Sequence, residues 1–493
     1  MNCFDMLSTI KIMFFIEILF LLVCWLFLVP FLSLSLPVIL FLFMMRWCEG
    51  AVRSRKTGAI RMNREDLLWM MANEQNQQII SGLIEIDGVL NVEEMKNILR
   101  QRLINKINQD GKNVYPQVTM HLEPGLLDYF WYSDSVFNIS DHVIGEKCVY
   151  DNQQLRKMID FHISRNFADS KKSPWEFIVI PFRNEQQNEK TMILFRLSHA
   201  ISDGSSLAYF LVHVLSDVRP VAMVPIKKFS QGQKMSFYMN AILWMPLVYL
   251  KLLLHHGDCN VITSRRSGHT SKKSLAWSNP LPLTLLKMKK NETSSTVNDV
   301  AVGCFAKTFF DYIKQHETSL DIAKNTFSAV FAVDTRSNLR QAQTFQNKIA
   351  GVVESLPLCE GGSIDDYVTH TKHKFDRIKQ IGAPISIYLG WRFMSYLLPL
   401  CMLKIFVYKM VGKTTASISN LIGPQNQISI SGLAVRCLTF WPPPSGNQSM
   451  GVSFCSYDNC IRMGVLVDSY ALGRVETLVD LFEKNVLLLD RKI

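Results

Sequence analysis

Residues Met192 to Leu215, MILFRLSHAISDGSSLAYFLVHVL, change hydrophobic period from two to about 3.6 across one short turn. Ile193, Phe195, Leu197 and His199 share one face of a strand, and Leu194, Arg196 and Ser198 share the other. After Gly204, residues Leu207, Phe210, Leu211 and Val214 recur at helical spacing. The pattern predicts a strand, a tight turn over Ala200–Gly204 and a helix, with His199 at the break on the apolar face. A general base for hydroxyl chemistry needs an imidazole of near-neutral pKa, held by a rigid element in a partly dry cleft. His199 has that setting. The same residues also admit a plain structural reading, in which His199 is a satisfied core histidine, Asp203 caps the helix and Gly204 relaxes the turn.

At 493 residues the chain exceeds one ordinary core, and length predicts two or three domains. Hydrophobic residues make up 48% and charged ones 19%, lean in charge for a freely soluble protein of this size and consistent with membrane association. The net charge of +11 suits anionic lipid or a nucleotide-bearing cosubstrate, and no nucleic-acid motif accompanies it. The 11 cysteines are odd in number and lack CxxC or Cys/His zinc spacing, as expected of reduced thiols facing the cytosol.

From Ile12 to Met45 the chain is almost wholly apolar, too long for a signal peptide, and reads as a membrane anchor. Pro30 and Pro37 divide it, so one kinked span and a re-entrant hairpin both fit, with Glu17 snorkelling near an interface. Arg46, Arg53, Arg55, Lys56, Arg61 and Arg64 follow the anchor while Lys11 alone precedes it, which predicts a body facing the cytosol. Asn138, Asn291 and Asn447 are nominal glycosylation acceptors that would stay unmodified there.

The pattern divides the rest into a first α/β half over 62–233, an apolar and then basic segment over 234–295, and a second half over 296–493, behind the anchor and basic flank at 1–61. In the first half, strands are predicted near Gln78–Ile86, Gln117–Leu122 and Phe177–Pro181, helices at Val92–Ile107 and Leu155–Phe167, and a hairpin loop before Lys190. His142 and His162 read as structural. Lys234–Leu254 nearly spans a membrane, but a true span would part the two halves, and Tyr238, Trp244 and Tyr249 favour interfacial burial. His256–Ser295, rich in Ser, Lys and Arg, reads as a linker whose Arg265, Arg266, Lys272 and Lys273 suit either lipid headgroups or plain solvent. Thr296 and Asp299 are spaced as a capping box opening a helix to His316. Strands follow near Phe327–Val333, Ile349–Leu356, Thr415–Asn420, Gly432–Phe440, Ser449–Tyr457 and Ile461–Val467, with one helical run over Ile385–Val411.

SHAISDG at Ser198–Gly204 resembles the HHxxxDG motif of the wax ester synthase/diacylglycerol acyltransferase family, with Ser198 at the first histidine. FNISDHV at Phe137–Val143, SPWE at Ser173–Glu176, TVNDV at Thr296–Val300, SNLIGP at Ser419–Pro424 and SFCSYDN at Ser453–Asn459 look like the family's other landmarks, in its order. The resemblance covers roughly Ile80 to Leu489. It implies two chloramphenicol-acetyltransferase-like α/β halves with the reaction centre in a channel between them. It further implies an acyl-CoA-dependent O-acyltransferase with no cofactor beyond the acyl-CoA cosubstrate. The acceptor would be a long-chain fatty alcohol or a diacylglycerol, and the setting a membrane, the endoplasmic reticulum first, with lipid droplet and plasma membrane as alternatives. On this reading His199 is the general base, Asp203 and Gly204 support the turn, Ser198 supports the loop from the opposite face, and Asn298 and Asp299 lie beside the channel. A catalytically weak lipid-binding paralogue is the alternative that Ser198 raises; a serine hydrolase lacks its GxSxG elbow.

Overall fold

The change of period after Ser198 is a change of element. The strand Glu189–Ser198 ends, the chain turns, and Asp203 caps a helix over Gly204–Phe210 that tightens into a π turn over Leu211–Leu215. The computed structural model describes residues 3–490 apart from 71–76, 168, 184–188, 218–229, 266–271, 317–324, 359 and 447. The predicted loop before Lys190 lies largely outside the described residues, as do Arg266 and Asn447.

Two sheets carry the mixed α/β body. In the first the strand order is Ser429–Ile430, Leu433–Trp441, Ile79–Asp87, Glu189–Ser198, Trp175–Arg183 and Val143–Gly145. In the second it is Ile349–Ser355, Ser328–Asp334, Ala416–Ile422, Met450–Tyr457, Cys460–Asp468 and Lys273–Trp277. The helix Val297–His316 and the helices Ile364–Gln380 and Val475–Leu487 cover one face of the second sheet, where Phe305, Phe309, Phe327, Phe454 and Phe482 interlock. The two sheets approach closely at Gly464, where a Cβ would sit 2.7 Å from the Phe440 carbonyl oxygen, so only glycine fits.

Several expectations need correction. The strand read at Gly432–Phe440 forms over Leu433–Trp441 but pairs with Ile79–Asp87, so the second half donates a strand to the first half's sheet. The supposed linker at 256–295 is largely built in: Lys273–Trp277 is an edge strand of the second sheet, and helices form at Val261–Ser264 and Leu283–Glu292. The strand near Gln117–Leu122 starts only at Met120 and belongs to a separate three-stranded sheet with Tyr129–Ser133 and Ile60–Arg61. The run Ile385–Val411 is two helices, Ala383–Leu397 and Leu400–Val411, broken at Pro399, whose ring excludes a helical predecessor. The anchor is neither divided nor a hairpin: Cys3–Thr57 is one helix with Pro30 and Pro37 inside it.

Two further histidines, His142 and His162, are held within the first half. His142 stacks between Phe137 and Trp175, with Nδ1 2.8 Å from the Trp175 carbonyl oxygen, and burial lowers its pKa. His162 lies 3.0 Å from Glu146 on the helix Asn152–Ser164.

Candidate active site

His199 continues the motif strand by one ladder bond, its N–H donating to the Gln78 carbonyl oxygen at 2.7 Å. The side chain is buried, and the indole of Trp69 lies flat on the imidazole with ring centroids 3.4 Å apart. Nδ1 is 2.9 Å from Asn347 Oδ1. The amide nitrogen of Asn347 uses its two hydrogens elsewhere, on the His199 carbonyl oxygen and on Asp66 Oδ1, each at 2.8 Å. The amide oxygen must therefore face the ring, and since it only accepts, Nδ1 carries the proton. Nε2 keeps its lone pair. Burial pushes the imidazole pKa down to about 3, well below the near-neutral value expected from the sequence, so the ring stays neutral throughout the physiological range. Behind Asn347, burial raises the Asp66 carboxyl to about 7 against the hydrogen bond from Asn347, which favours its charged form.

Asp203 does not touch the ring. Its fully buried carboxylate caps the helix through Ser206 N–H at 3.0 Å, accepts Lys348 N–H at 2.8 Å and pairs with Arg336 at 2.9 Å. Arg336 also donates to Ser206 Oγ at 2.8 Å and to the Gln346 carbonyl at 3.0 Å. The turn is thereby tied to a segment of the second half that also carries Asn347. Burial pushes the Asp203 pKa up, and the Arg336 guanidinium opposes it. Ser198 faces away from the cavity that His199 lines, and its hydroxyl accepts Ala200 N–H at 3.3 Å.

Gly204 corrects the reading of a relaxed turn. Its φ is not positive; a Cβ there would lie 3.2 Å from Leu421 Cδ1, so the position is small because Leu421 packs against it. Asp299 closes the capping box with Thr296, and one of its oxygens has no hydrogen-bond partner among the described residues. Asn298 accepts a hydrogen bond from Asn420 Nδ2 at 2.9 Å, and Asn420 lines the same cavity as His199. Of the two residues proposed beside the channel, Asn298 thus reaches the cavity wall through Asn420, whereas Asp299 is occupied at the helix start.

The cavity in front of His199 holds about 1620 Å³, counting its open mouth, and lies between the halves. Trp69, Ile80 and Gly204 line it from the first half, Ile349 and Ser419 from the second, and Leu252 and Phe406 from two apolar helices beyond. A second cavity of about 930 Å³ is almost wholly apolar, enclosed by residues such as Phe177, Phe195 and Phe210, and shares Ile80, Gly204, Leu421 and Phe440 with the first. Among the described residues no cluster of His, Cys, Asp or Glu has the arrangement of a metal site.

Residues 345–489 match the family model described as the WS/DGAT C-terminal domain. Wax ester synthase/diacylglycerol acyltransferase 2 of Arabidopsis thaliana is 24% identical over 389 residues, covering 70% of this chain and 78% of that protein. The chain thus resembles wax ester synthase/diacylglycerol acyltransferases over most of its length, and the family model itself matches its C-terminal part. The solved structure of a family member from Marinobacter aquaeolei VT8 superposes with a TM-score of 0.59 at 14% identity, covering 87% of this chain and 99% of that one. The trichothecene 15-O-acetyltransferase TRI3 from Fusarium sporotrichioides follows at 0.56 and 10% identity, covering 87% and 95%, so the fold extends beyond the family. The mixed α/β fold of these structures is the one observed here, with the cavity between the halves.

Spacing did not reveal Asp66, Trp69, Arg336, Asn347 or Asn420. Each is remote in sequence from SHAISDG and meets it only through tertiary packing, Asp66 and Trp69 within the first half and Arg336, Asn347 and Asn420 from the second. The one readable signal was the Asn420 segment, SNLIGP, which belongs to the family landmarks.

Proposed function

We propose that this protein is a membrane-bound acyl-CoA-dependent O-acyltransferase that moves a fatty acyl group directly onto a lipid alcohol, a long-chain fatty alcohol in the first place. The observation that carries this reading is a neutral, Nδ1-protonated His199 whose free Nε2 belongs to an imidazole lining a largely apolar cavity between two halves. Nε2 takes the hydroxyl proton as the alcohol oxygen attacks the thioester carbonyl carbon. The tetrahedral intermediate expels the CoA thiolate, and the imidazolium returns the proton to that sulfur, so no acyl-enzyme forms. Trp69 Nε1–H, buried beside the ring and without a partner among the described residues, supplies a donor for the developing oxyanion. Two hydrocarbon chains need two apolar spaces, and the second cavity provides the other.

A lipid acceptor fits the position of the cavity, whose outer wall is made by Tyr249, Leu252, Phe406 and Met410 of helices with exposed apolar faces. We place the protein on the endoplasmic reticulum with its body in the cytosol, where acyl-CoA is available. Ester formation from labelled acyl-CoA in membranes tests the reading, with fatty alcohol and diacylglycerol offered separately. Wild type should esterify the fatty alcohol in preference, and His199→Ala should lower kcat by about 10²- to 10⁴-fold. Equal turnover by His199→Ala would remove the general base, and product with diacylglycerol alone would change the acceptor.

A further inference from the structure

Among the described residues two helices are long and apolar enough to cross a bilayer, the N-terminal one and Gln231–Leu254. The second cannot do so. Chain before it supplies Ile79–Asp87 and chain after it supplies Leu433–Trp441, and these two strands are hydrogen-bonded neighbours, so both ends of the helix belong to one body. Its later turns are also packed, Val248 and Leu252 lying in a cluster with Ala383 and Met410.

The N-terminal helix runs antiparallel beside it. Glu17 meets Lys251 Nζ at 3.0 Å and Arg377 at 2.5 Å, and about two turns further on Trp25 Nε1 donates to the Leu243 carbonyl at 3.0 Å. The same body holds the far end. Arg46 donates to the Tyr396 carbonyl and, at 2.7 Å, to that of Leu398; Glu49 accepts the Leu126 N–H at 2.6 Å; Arg53 donates to Tyr132 Oη at 2.8 Å.

From Glu17 to Arg46 the helix rises about 44 Å, more than the hydrocarbon thickness of about 30 Å. A crossing helix would put those two ends in different compartments, yet one globular body grips both. The less exposed positions, Leu21, Leu28, Leu32, Ser35, Ile39 and Arg46, recur at helical spacing and mark one side. The outer side is apolar and open, with Leu26 at 70%, Phe27 at 72% and Leu34 at 83% exposure. Leu400–Val411 adds Met402, Ile405 and Tyr408 to the exposed apolar surface, with exposed Lys404 and Lys409 able to snorkel toward headgroups.

We propose that the N-terminal helix lies in the plane of the membrane and does not cross it, forming with Gln231–Leu254 and Leu400–Val411 one apolar platform immersed in a single cytosolic leaflet. This rests on the membrane attachment proposed above, and it makes the protein monotopic. The His199 cavity then sits directly above the lipid, with Leu252 and Phe406 between the two.

The test uses the full chain, with a glycosylation acceptor in a flexible extension ahead of Met1 and another after Ile493, made in the presence of microsomes. Neither extension should show a glycan gel shift. Purified protein should float with vesicles of phosphatidylcholine and phosphatidylserine. Trp25→Cys with Leu243→Cys, in a Cys24→Ser background, should form a disulfide under mild oxidant. A shift of the N-terminal extension alone would show a crossing helix and overturn the inference, as would the absence of the cross-link in floating protein. Failure to float would overturn the membrane attachment and this inference together, while leaving the acyl-transfer assay to judge the chemistry separately.

Discussion

At the scale of single residues, the tautomer of His199 is set by the groups that deny it alternatives. Asn347 has two donors and one acceptor within reach of the site, and its two donors are taken by His199 O and Asp66, so the tautomer follows from hydrogen-bond arithmetic. Asp66 carries a cost. Its pKa is raised by burial to about 7, from an unfolded value near 3.8, so the unfolded chain loses that proton first as pH rises. The penalty is absent below about pH 4, grows through the window up to 7 and is complete above it. Asp66→Asn should therefore raise the thermal midpoint relative to wild type at pH 8 and leave it unchanged near pH 4, which parallel melts at the two values would measure. An equal difference at both would mean that packing, and not charge, sets the effect. His199 and the sharp turn were legible in the sequence because period and residue type announce them locally. Asn347, Asp66 and Trp69 were not, because nothing in a linear pattern says which distant amide, carboxylate or indole will face an imidazole.

At the scale of elements, the motif turn is a joint between the halves. Asp203 caps its own helix and at the same time neutralises Arg336 from the end of a strand in the other half, both side chains being essentially buried. Removing one partner of such a pair leaves an uncompensated charge in a dry site, at a cost of about 3–5 kcal/mol. Arg336→Met should lower stability by that order in chemical denaturation, and Asp203→Asn with Arg336→Met should recover part of the loss. Most strands and helices of the body were readable to within a few residues, since their patterns are strong and their ends are marked by Gly, Pro, Asp and Asn. The hairpin across Asp458 and Asn459 is one example, both residues having positive φ of 46° and 58°. The break at Pro399 inside a continuous apolar run was missed because apolar composition alone does not distinguish one helix from two.

At the scale of the whole molecule, the halves are not separable beads. Leu433–Trp441 leaves the second half to lie against Ile79–Asp87, and Gly464 lets the two sheets touch beneath it. A fragment ending near residue 233 would expose the free edge of Ile79–Asp87 and lose the buried face of Val435, Leu438 and Phe440. Expressed alone, 62–233 should aggregate, whereas co-expression with 234–493 should return soluble complex, as size-exclusion chromatography would show; a folded monomer of 62–233 would refute the shared sheet as a folding requirement. The amino-acid sequence by itself determined the class of fold, the strand–turn–helix around His199, the apolar N-terminal helix and, through motifs in order, the family resemblance, because periodicity and short-range turn chemistry act over a few residues. Only the tertiary structure decided which half owns which strand, which groups orient the imidazole, and that Glu17 and Arg46 are held by one body. Those outcomes depend on pairings between segments hundreds of residues apart, whose partners are selected by burial and hydrogen-bond satisfaction once the sheets have packed.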